Sequence, residues 1–260
     1  MIEPWAYPAM TVTAMLAGFV DAIAGGGGLI LMPALLFVGV PPLHALGTNK
    51  LQSVFGTGVA LRNYWRSGLV DWRRNRITVA LVFAGALAGA LIVQLIRPQL
   101  LNLIIPVLLV GAALYVLISP RMTDEDAHHR VSSAGYAPIG SAIGFYDGFF
   151  GPGAGSFLTT ALVALFGLGL VSATAHAKLL NLASNIAALI TLMIGGQVMW
   201  MIGLLMAVAS IAGGQVGAHL TLRIGGRMIR PLLVIMALAL TVKLLADPAN
   251  PLTALLTAGG

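Results

Sequence analysis

Residues 44–58, His44-Ala-Leu-Gly-Thr48-Asn49-Lys50-Leu-Gln52-Ser-Val-Phe-Gly-Thr-Gly58, carry a lysine through otherwise apolar sequence. Residues 172–185, Ser172-Ala-Thr-Ala-His176-Ala-Lys178-Leu-Leu-Asn181-Leu-Ala-Ser-Asn185, carry another 128 positions later. At the same spacing Gly39 matches Gly167, Ala45 matches Ala173, Gly68 matches Gly196, Trp72 matches Trp200, Gly85 matches Gly213 and Gly89 matches Gly217. Upstream of the lysines, FVDAIAGGGG (19–28) and FYDGFFGPGAG (145–155) match with the offset slipped to 126, which sets Asp21 against Asp147. The chain therefore reads as a tandem duplication: a first membrane repeat over 1–120, a polar linker over 121–133 and a second membrane repeat over 134–260.

The composition calls for a bilayer. Hydrophobic residues make up 58% and charged residues 8% of the chain, with a mean hydropathy of +0.96, so an all-α polytopic membrane protein is expected. Glycine is abundant, as in membrane helices that pack closely or break. Cysteine is absent, which excludes disulfides, thiolate metal sites and cysteine nucleophiles. The opening MIEPWAYPAM lacks a basic n-region and does not read as a cleavable signal peptide. The net charge of +6 comes from arginines at span ends, where it serves topology rather than nucleic-acid binding.

Apolar segments are expected near 8–24, 29–40, 43–65, 76–97 and 99–118, and again near 134–150, 155–170, 172–195, 199–222 and 228–246. The first two of each set meet at a glycine run, as re-entrant hairpins or as short, kinked spans. Arg66, Arg73, Arg74 and Arg76 mark the loop between the third and fourth segments as cytoplasmic. Its counterpart, GGQVMW (195–200), is uncharged, and the second repeat gathers Arg223, Arg227 and Arg230 one loop later. That shift predicts repeats of inverted topology, an odd number of crossings in each, both termini outside, and the linker RMTDEDAHHR (121–130) inside. Inverted repeats with interrupted helices are a mark of secondary transporters, whose substrates bind near the midplane.

Gly25, Gly26, Gly27 and Gly28, and then Gly151, Gly153 and Gly155, cannot hold a lipid-facing helix. Irregular backbone at membrane depth survives only when it is buried in protein or lines a watery cavity. A helix restarting after each run, near Leu29 and Ser156, would aim its positive end at the break and favour an anion. Tight helix crossing through small residues is the ordinary alternative. Neither run matches a phosphate-binding or dinucleotide loop. Charges buried in a bilayer point to function. Of three lysines and eight acidic residues, only Lys50, Lys178, Asp21 and Asp147 lie well inside such sequence. An ammonium among amide donors suits a small oxyanion, with Thr48, Asn49, Gln52, His176 and Asn181 adding directional hydrogen bonds. For the aspartates three roles compete: structural ion pairs with the lysines (Asp21 taken with Lys50), helix caps, or proton coupling. Trp72 and Trp200 fit an aromatic belt. Tyr146, next to Asp147, could serve the site, though packing or anchoring is the ordinary role of a tyrosine in a membrane helix; His44 and His219 read as interfacial. His128 and His129 could bind metal adventitiously, but no metal site and no cofactor is expected.

In these residues the chain resembles the sulfite exporter TauE/SafE family of membrane permeases. The likeness rests on DAIAGGGGLILMPAL (21–35) with HALGTNKLQSVFGT (44–57), echoed by YDGFFGPGAGSF (146–157) and SATAHAKLLNLASN (172–185). It spans both repeats. It implies movement of a sulfur-containing oxyanion such as sulfite or an organosulfonate across the bacterial inner membrane. It also implies that Gly25 to Gly28 with Thr48, Asn49 and Lys50, and in the second copy Gly151, Gly153, Gly155 and Lys178, form the functional core. The second repeat departs in having His176-Ala177 where the first has Thr48-Asn49, so the two sides of any site are chemically unequal.

The leading reading is thus a secondary transporter of a small anion, working by alternating access and not as an enzyme. An anion channel is the alternative within transport, and an intramembrane enzyme acting on a phosphorylated lipid is the rival of another class. The enzyme would want a positioned acid, base and nucleophile, and this chain has no glutamate after position 3 except Glu125 in the linker. The expected partners are the anion and the lipid bilayer, without nucleic acid; homo-oligomerisation stays open.

Overall fold

The computed structural model describes residues 3–118 and 133–224. Among these the chain is all helix: α1 (Ala6–Ala24), α2 (Gly27–Phe37), α3 (Pro42–Arg66), α4 (Trp72–Gln94), α5 (Pro98–Ile118), α6 (Ser133–Phe149), α7 (Ala154–Phe166), α8 (Leu170–Ile194) and α9 (Trp200–Ile224). Each expected segment within the described residues is one helix. The linker at 121–133 lies almost wholly outside them, and the last segment at 228–246 entirely so. Among the described residues five helices are long and apolar enough to cross a membrane. α3 is a full 25 residues, but Thr48, Asn49, Lys50 and Gln52 dilute its apolar content. It is a polar strut buried between other helices rather than a lipid-facing one.

The glycines that revealed the duplication now have local causes. Gly39 and Gly68 sit in the left-handed region, at φ 81° and 74°. Each closes its helix with the paired bonds of a Schellman turn: Val40 N–H to Leu35 O and Gly39 N–H to Leu36 O, then Leu69 N–H to Tyr64 O and Gly68 N–H to Trp65 O. Gly196 repeats the pattern after α8, with Gln197 N–H on Leu192 O and Gly196 N–H on Met193 O. The helix entries are also marked: Pro41 and Pro42 open α3, where a missing N–H costs nothing.

Packing crosses between the repeats. α4 of the first lies along α6 of the second, and α9 of the second lies along α1 of the first. Both crossings rest on glycine. A Cβ at Gly85 or Gly89 would collide with the carbonyls of Ser141 and Phe145 on α6. A Cβ at Gly213 or Gly217 would collide with those of Met15 and Phe19 on α1. Each pair is a small-xxx-small face, which lets helix backbones approach closely. α3 and α8 then meet in the middle, α3 also packed on α9 and α8 on α4. Large apolar side chains such as Leu91, Leu100, Val208 and Val216 stay on the outside, where lipid is their natural solvent.

At the first break the chain folds back on itself. Gly25 is left-handed, at φ 75° with its N–H on Asp21 O. Two residues later Gly27 already lies against Ala17 and Asp21 of α1. α2 therefore starts alongside α1 instead of continuing its axis. Both short helices begin slightly earlier than the sequence suggested, at Gly27 and Ala154 rather than near Leu29 and Ser156, because glycine and alanine there are already helical.

Candidate functional site

The two glycine breaks touch. Gly25 lies so close to Gly155 and Ser156 that neither glycine could carry a side chain, and Ser156 Oγ donates to Ala24 O at 2.8 Å. α2 and α7 begin here on Gly26 and Gly153 with no side-chain cap. Leu29 N–H bonds Gly26 O and Ala154 N–H bonds Gly151 O, and the other N–H groups of each first turn are left for another acceptor. Gly28, Gly151, Gly153 and Gly155 line one small cavity together with Asp21, Asn49, Lys50, Ser53, Asp147, Asn181 and Asn185. Its volume is about 20 Å³, room for roughly one water. A sulfur oxyanion needs more than that, so this conformation is closed around its polar centre.

Both lysines are fully buried, and each is neutralised from the other repeat. Lys50 Nζ donates to Asp147 Oδ1 at 2.6 Å and to Asn185 Oδ1 at 2.9 Å. Lys178 Nζ donates to Asp21 Oδ2 at 2.8 Å. The pairing of Asp21 with Lys50 expected from the sequence is thus corrected to Asp21–Lys178 and Asp147–Lys50. The cause lies in the packing: α1 is drawn toward α8 and α9, and α6 toward α4 and α8, so each aspartate faces the lysine of the opposite repeat. The remaining bonds complete two cages. Asp147 Oδ2 accepts from Asn181 Nδ2 at 2.9 Å and from Ser184 Oγ, while Asp21 Oδ2 accepts from Thr57 Oγ1 at 3.2 Å. The ion-pair reading of both aspartates is what this geometry contains. Lone charges at this depth would be far costlier.

Two expected ligands sit elsewhere. Thr48 Oγ1 accepts the Met199 N–H at 3.1 Å. His176 Nε2 accepts the Asp71 N–H at 3.4 Å, with its Nδ1 on Ser172 O at 2.9 Å. Thr48 and His176 are repeat counterparts, and so are Asp71 and Met199. Each side chain pins the N-terminus of the other repeat's α4 or α9. They leave the site because their side chains point across the repeat boundary, two helical steps of about 100° from the lysine face. Gln52 is buried and donates to Asn49 Oδ1 at 3.1 Å and to Ser53 Oγ at 2.7 Å, leaving its Oε1 without a partner. It supports the cavity wall without lining it. Gly26 and Gly27 shape the turn, and Ser156 ties the breaks together. Tyr146 donates to Pro152 O at 2.7 Å and packs on Phe150 and Phe157, which is the packing role expected of it.

Asn185 and Ser53 extend the polar patches expected beside the lysines, whereas Ser184 and Thr57 were not singled out, though the sequence held a signal. Ser184 and Asn185 follow Asn181 at helical spacing, and Thr57 is the 128-residue counterpart of Asn185. Among the described residues no cluster of acidic and histidine side chains could hold a metal ion.

Comparison with known proteins agrees with this architecture. The model of the family described as "Sulfite exporter TauE/SafE" matches residues 10–244. The chain is 46% identical over 242 residues to the "Probable membrane transporter protein ORF9" of Sinorhizobium sp, covering 93% of each chain. It is 43% identical over 248 residues to the "Probable membrane transporter protein YfcA" of Escherichia coli (strain K12), covering 95% of this chain and 92% of that one. A "Probable membrane transporter protein" of Haemophilus influenzae is 42% identical over 232 residues, 89% of this chain and 91% of that one. No solved structure matches.

Proposed function

Because the chain belongs to the sulfite exporter TauE/SafE family, a family of membrane transporters and not of enzymes, we propose that its cargo is a small sulfur-containing oxyanion such as sulfite or an organosulfonate. The observation that carries this reading is chemical. Buried Lys50 and two uncapped helix starts line one polar cavity, and buried Lys178 is bonded to Asp21, which lines it too. Ammonium groups and helix N-termini both favour an anion, and a tetrahedral or pyramidal oxyanion offers acceptors in several directions at once.

The mechanism we propose is alternating access. The cavity is too small for cargo in this closed form, so the anion enters when the helices around it part. Such a movement would slide contacts that run between repeats, among them α1 with α9 and α4 with α6. Inverted repeats, a bacterial inner-membrane location and termini on the outer side complete the proposal, supported by the shifted arginine bias. An anion channel is the weaker reading, since the centre of the protein is closed by paired charges rather than by a ring of like charge.

The test is flux in proteoliposomes holding the purified full chain, with radiolabelled sulfite, methanesulfonate, sulfate and acetate compared side by side. Saturable movement of the sulfur oxyanions, stimulated by the same anion on the far side, is expected. Non-saturable flux of all four would favour the channel, and no flux of any would remove the oxyanion assignment.

A further inference from the structure

The two ion pairs occupy equivalent places but are not equivalent, and the differences fall at three positions. Where the second repeat has Asn181, Ser184 and Asn185, the first has Ser53, Gly56 and Thr57, each 128 positions earlier. The consequences are visible in the cages. Asp147 accepts from Lys50, Asn181 and Ser184, and its side chain is 2% exposed. Asp21 accepts from Lys178 and Thr57 alone among the described residues, and its side chain is 19% exposed. The lysines differ in the same direction. Among the described residues Lys50 donates to a carboxylate and an amide oxygen, whereas Lys178 donates to Asp21 only. An ammonium has three N–H groups, so Lys178 retains unused donor capacity in a buried position.

We propose that Lys178, with the Thr57 hydroxyl, is the seat of the transported oxyanion, and that the anion binds there by taking the place of the Asp21 carboxylate. Lys50 and Asp147 stay paired throughout and hold the repeats in register. This rests on the oxyanion reading above and deepens it. A carboxylate and a sulfur oxyanion present the same kind of charged acceptor to an ammonium and a hydroxyl, so they compete for one seat. Two anions side by side in a low-dielectric site repel, which favours the protonated form of the displaced carboxyl. Asp21 therefore takes one proton from solution as the anion arrives and returns it when the anion leaves.

The surroundings of Asp21 are consistent with that exchange. From α8 it faces Lys178 and from α3 it faces Thr57, with the Tyr64 hydroxyl nearby. α2 presents only the Gly27 backbone, α7 contributes Ser156 one turn away at Ala24 O, and α9 meets α1 through Gly213 and Gly217. Lys50 and Asp147 share the cavity but neutralise each other. Among the described residues no further fixed charge lies against Asp21 to hold it ionised once Lys178 is taken.

The test is calorimetric binding of methanesulfonate, whose charge is constant near neutral pH, to the full chain in detergent. Running it in two buffers of different ionisation enthalpy counts the protons taken up. Wild type should bind one proton per anion, with affinity falling as pH rises. Asp21→Asn should bind at least tenfold more tightly at the upper end of that range, lose the pH dependence and take up no proton. Lys178→Met should lose at least tenfold. Wild-type binding without proton uptake would overturn the proposal, and that measurement needs no variant should Asp21→Asn fold poorly. So would a result in which Asp147→Asn or Lys50→Met, rather than the Asp21 and Lys178 variants, abolishes the uptake. Failure of methanesulfonate and sulfite alike to bind folded wild type is a different outcome: it removes the oxyanion reading itself, and the seat with it.

Discussion

Replacing Asp147 with asparagine removes the only carboxylate among the described residues that is bonded to Lys50, and leaves a buried ammonium with neutral partners. The structure sets the size of the effect. Lys50 is 1% exposed, so water cannot compensate, and breaking one side of a buried pair costs about 3–5 kcal/mol. The asparagine amide also turns two hydrogens toward a shell of donors, since Asn181 Nδ2 and Ser184 Oγ both point at Asp147 Oδ2. The loss should therefore sit at the upper end of that range. Adding Lys50→Met removes the orphaned charge and should recover most of the stability, a coupling of about 3 kcal/mol, at the high end for residues in contact. Adding Lys178→Met instead should only deepen the loss. The assay is reversible denaturant unfolding in detergent micelles for wild type, the three single variants and the two doubles. Rescue of Asp147→Asn by Lys178→Met and not by Lys50→Met would show that the charges pair in the opposite sense and would refute the crossed arrangement.

Other outcomes follow from the same geometry. Alanine at Gly89 or Gly217 should destabilise the fold by about 1–3 kcal/mol each through overpacking, measurable as a lowered unfolding midpoint, because a Cβ at either site meets a backbone carbonyl of the partner helix. Alanine at Gly39, which meets nothing within 4 Å, should cost only its left-handed strain, about 1–2 kcal/mol. Thr48→Val should cost about 0.5–1.5 kcal/mol, one hydrogen bond, and leave anion affinity unchanged in the same calorimetric assay, since it holds Met199 and not the cavity. Cysteines at Ser67 and Gly196 should label from opposite sides with an impermeant thiol reagent. Equal labelling of both from one side would contradict inverted repeats.

Much of the architecture was legible because a bilayer narrows the choices. Apolar stretches of the right length can only be helices there, and the 128-residue echo made each segment visible twice. Lys50, Lys178, Asp21 and Asp147 stood out because charge at that depth is rare. What stayed hidden was the partner of each. The echo shows that Asp21 and Asp147 are equivalent, but equivalence is silent on whether a residue bonds within its own repeat or across. That depends on Gly85, Gly89, Gly213 and Gly217 drawing α4 and α9 onto the other repeat's first helix, a long-range consequence of small side chains. Thr48 and His176 misled for a related reason. They stand two residues before the lysines, and on a helix two steps of about 100° turn a side chain nearly to the opposite face, so theirs point at the neighbouring repeat's helix start. Ser184 and Thr57 were missed because hydroxyls in membrane helices usually bond their own backbone, as Thr174 does with Leu170 O.

The central claim, that a sulfur oxyanion crosses the membrane through the buried charges, is tested most directly by sulfite counterflow in proteoliposomes with wild type and Lys178→Met reconstituted at equal density. Wild type should accumulate labelled sulfite transiently when loaded with unlabelled sulfite, while the folded Lys178→Met protein should show no more uptake than empty vesicles. Equal counterflow by the two proteins would mean that the anion never depends on this lysine, and would contradict the account.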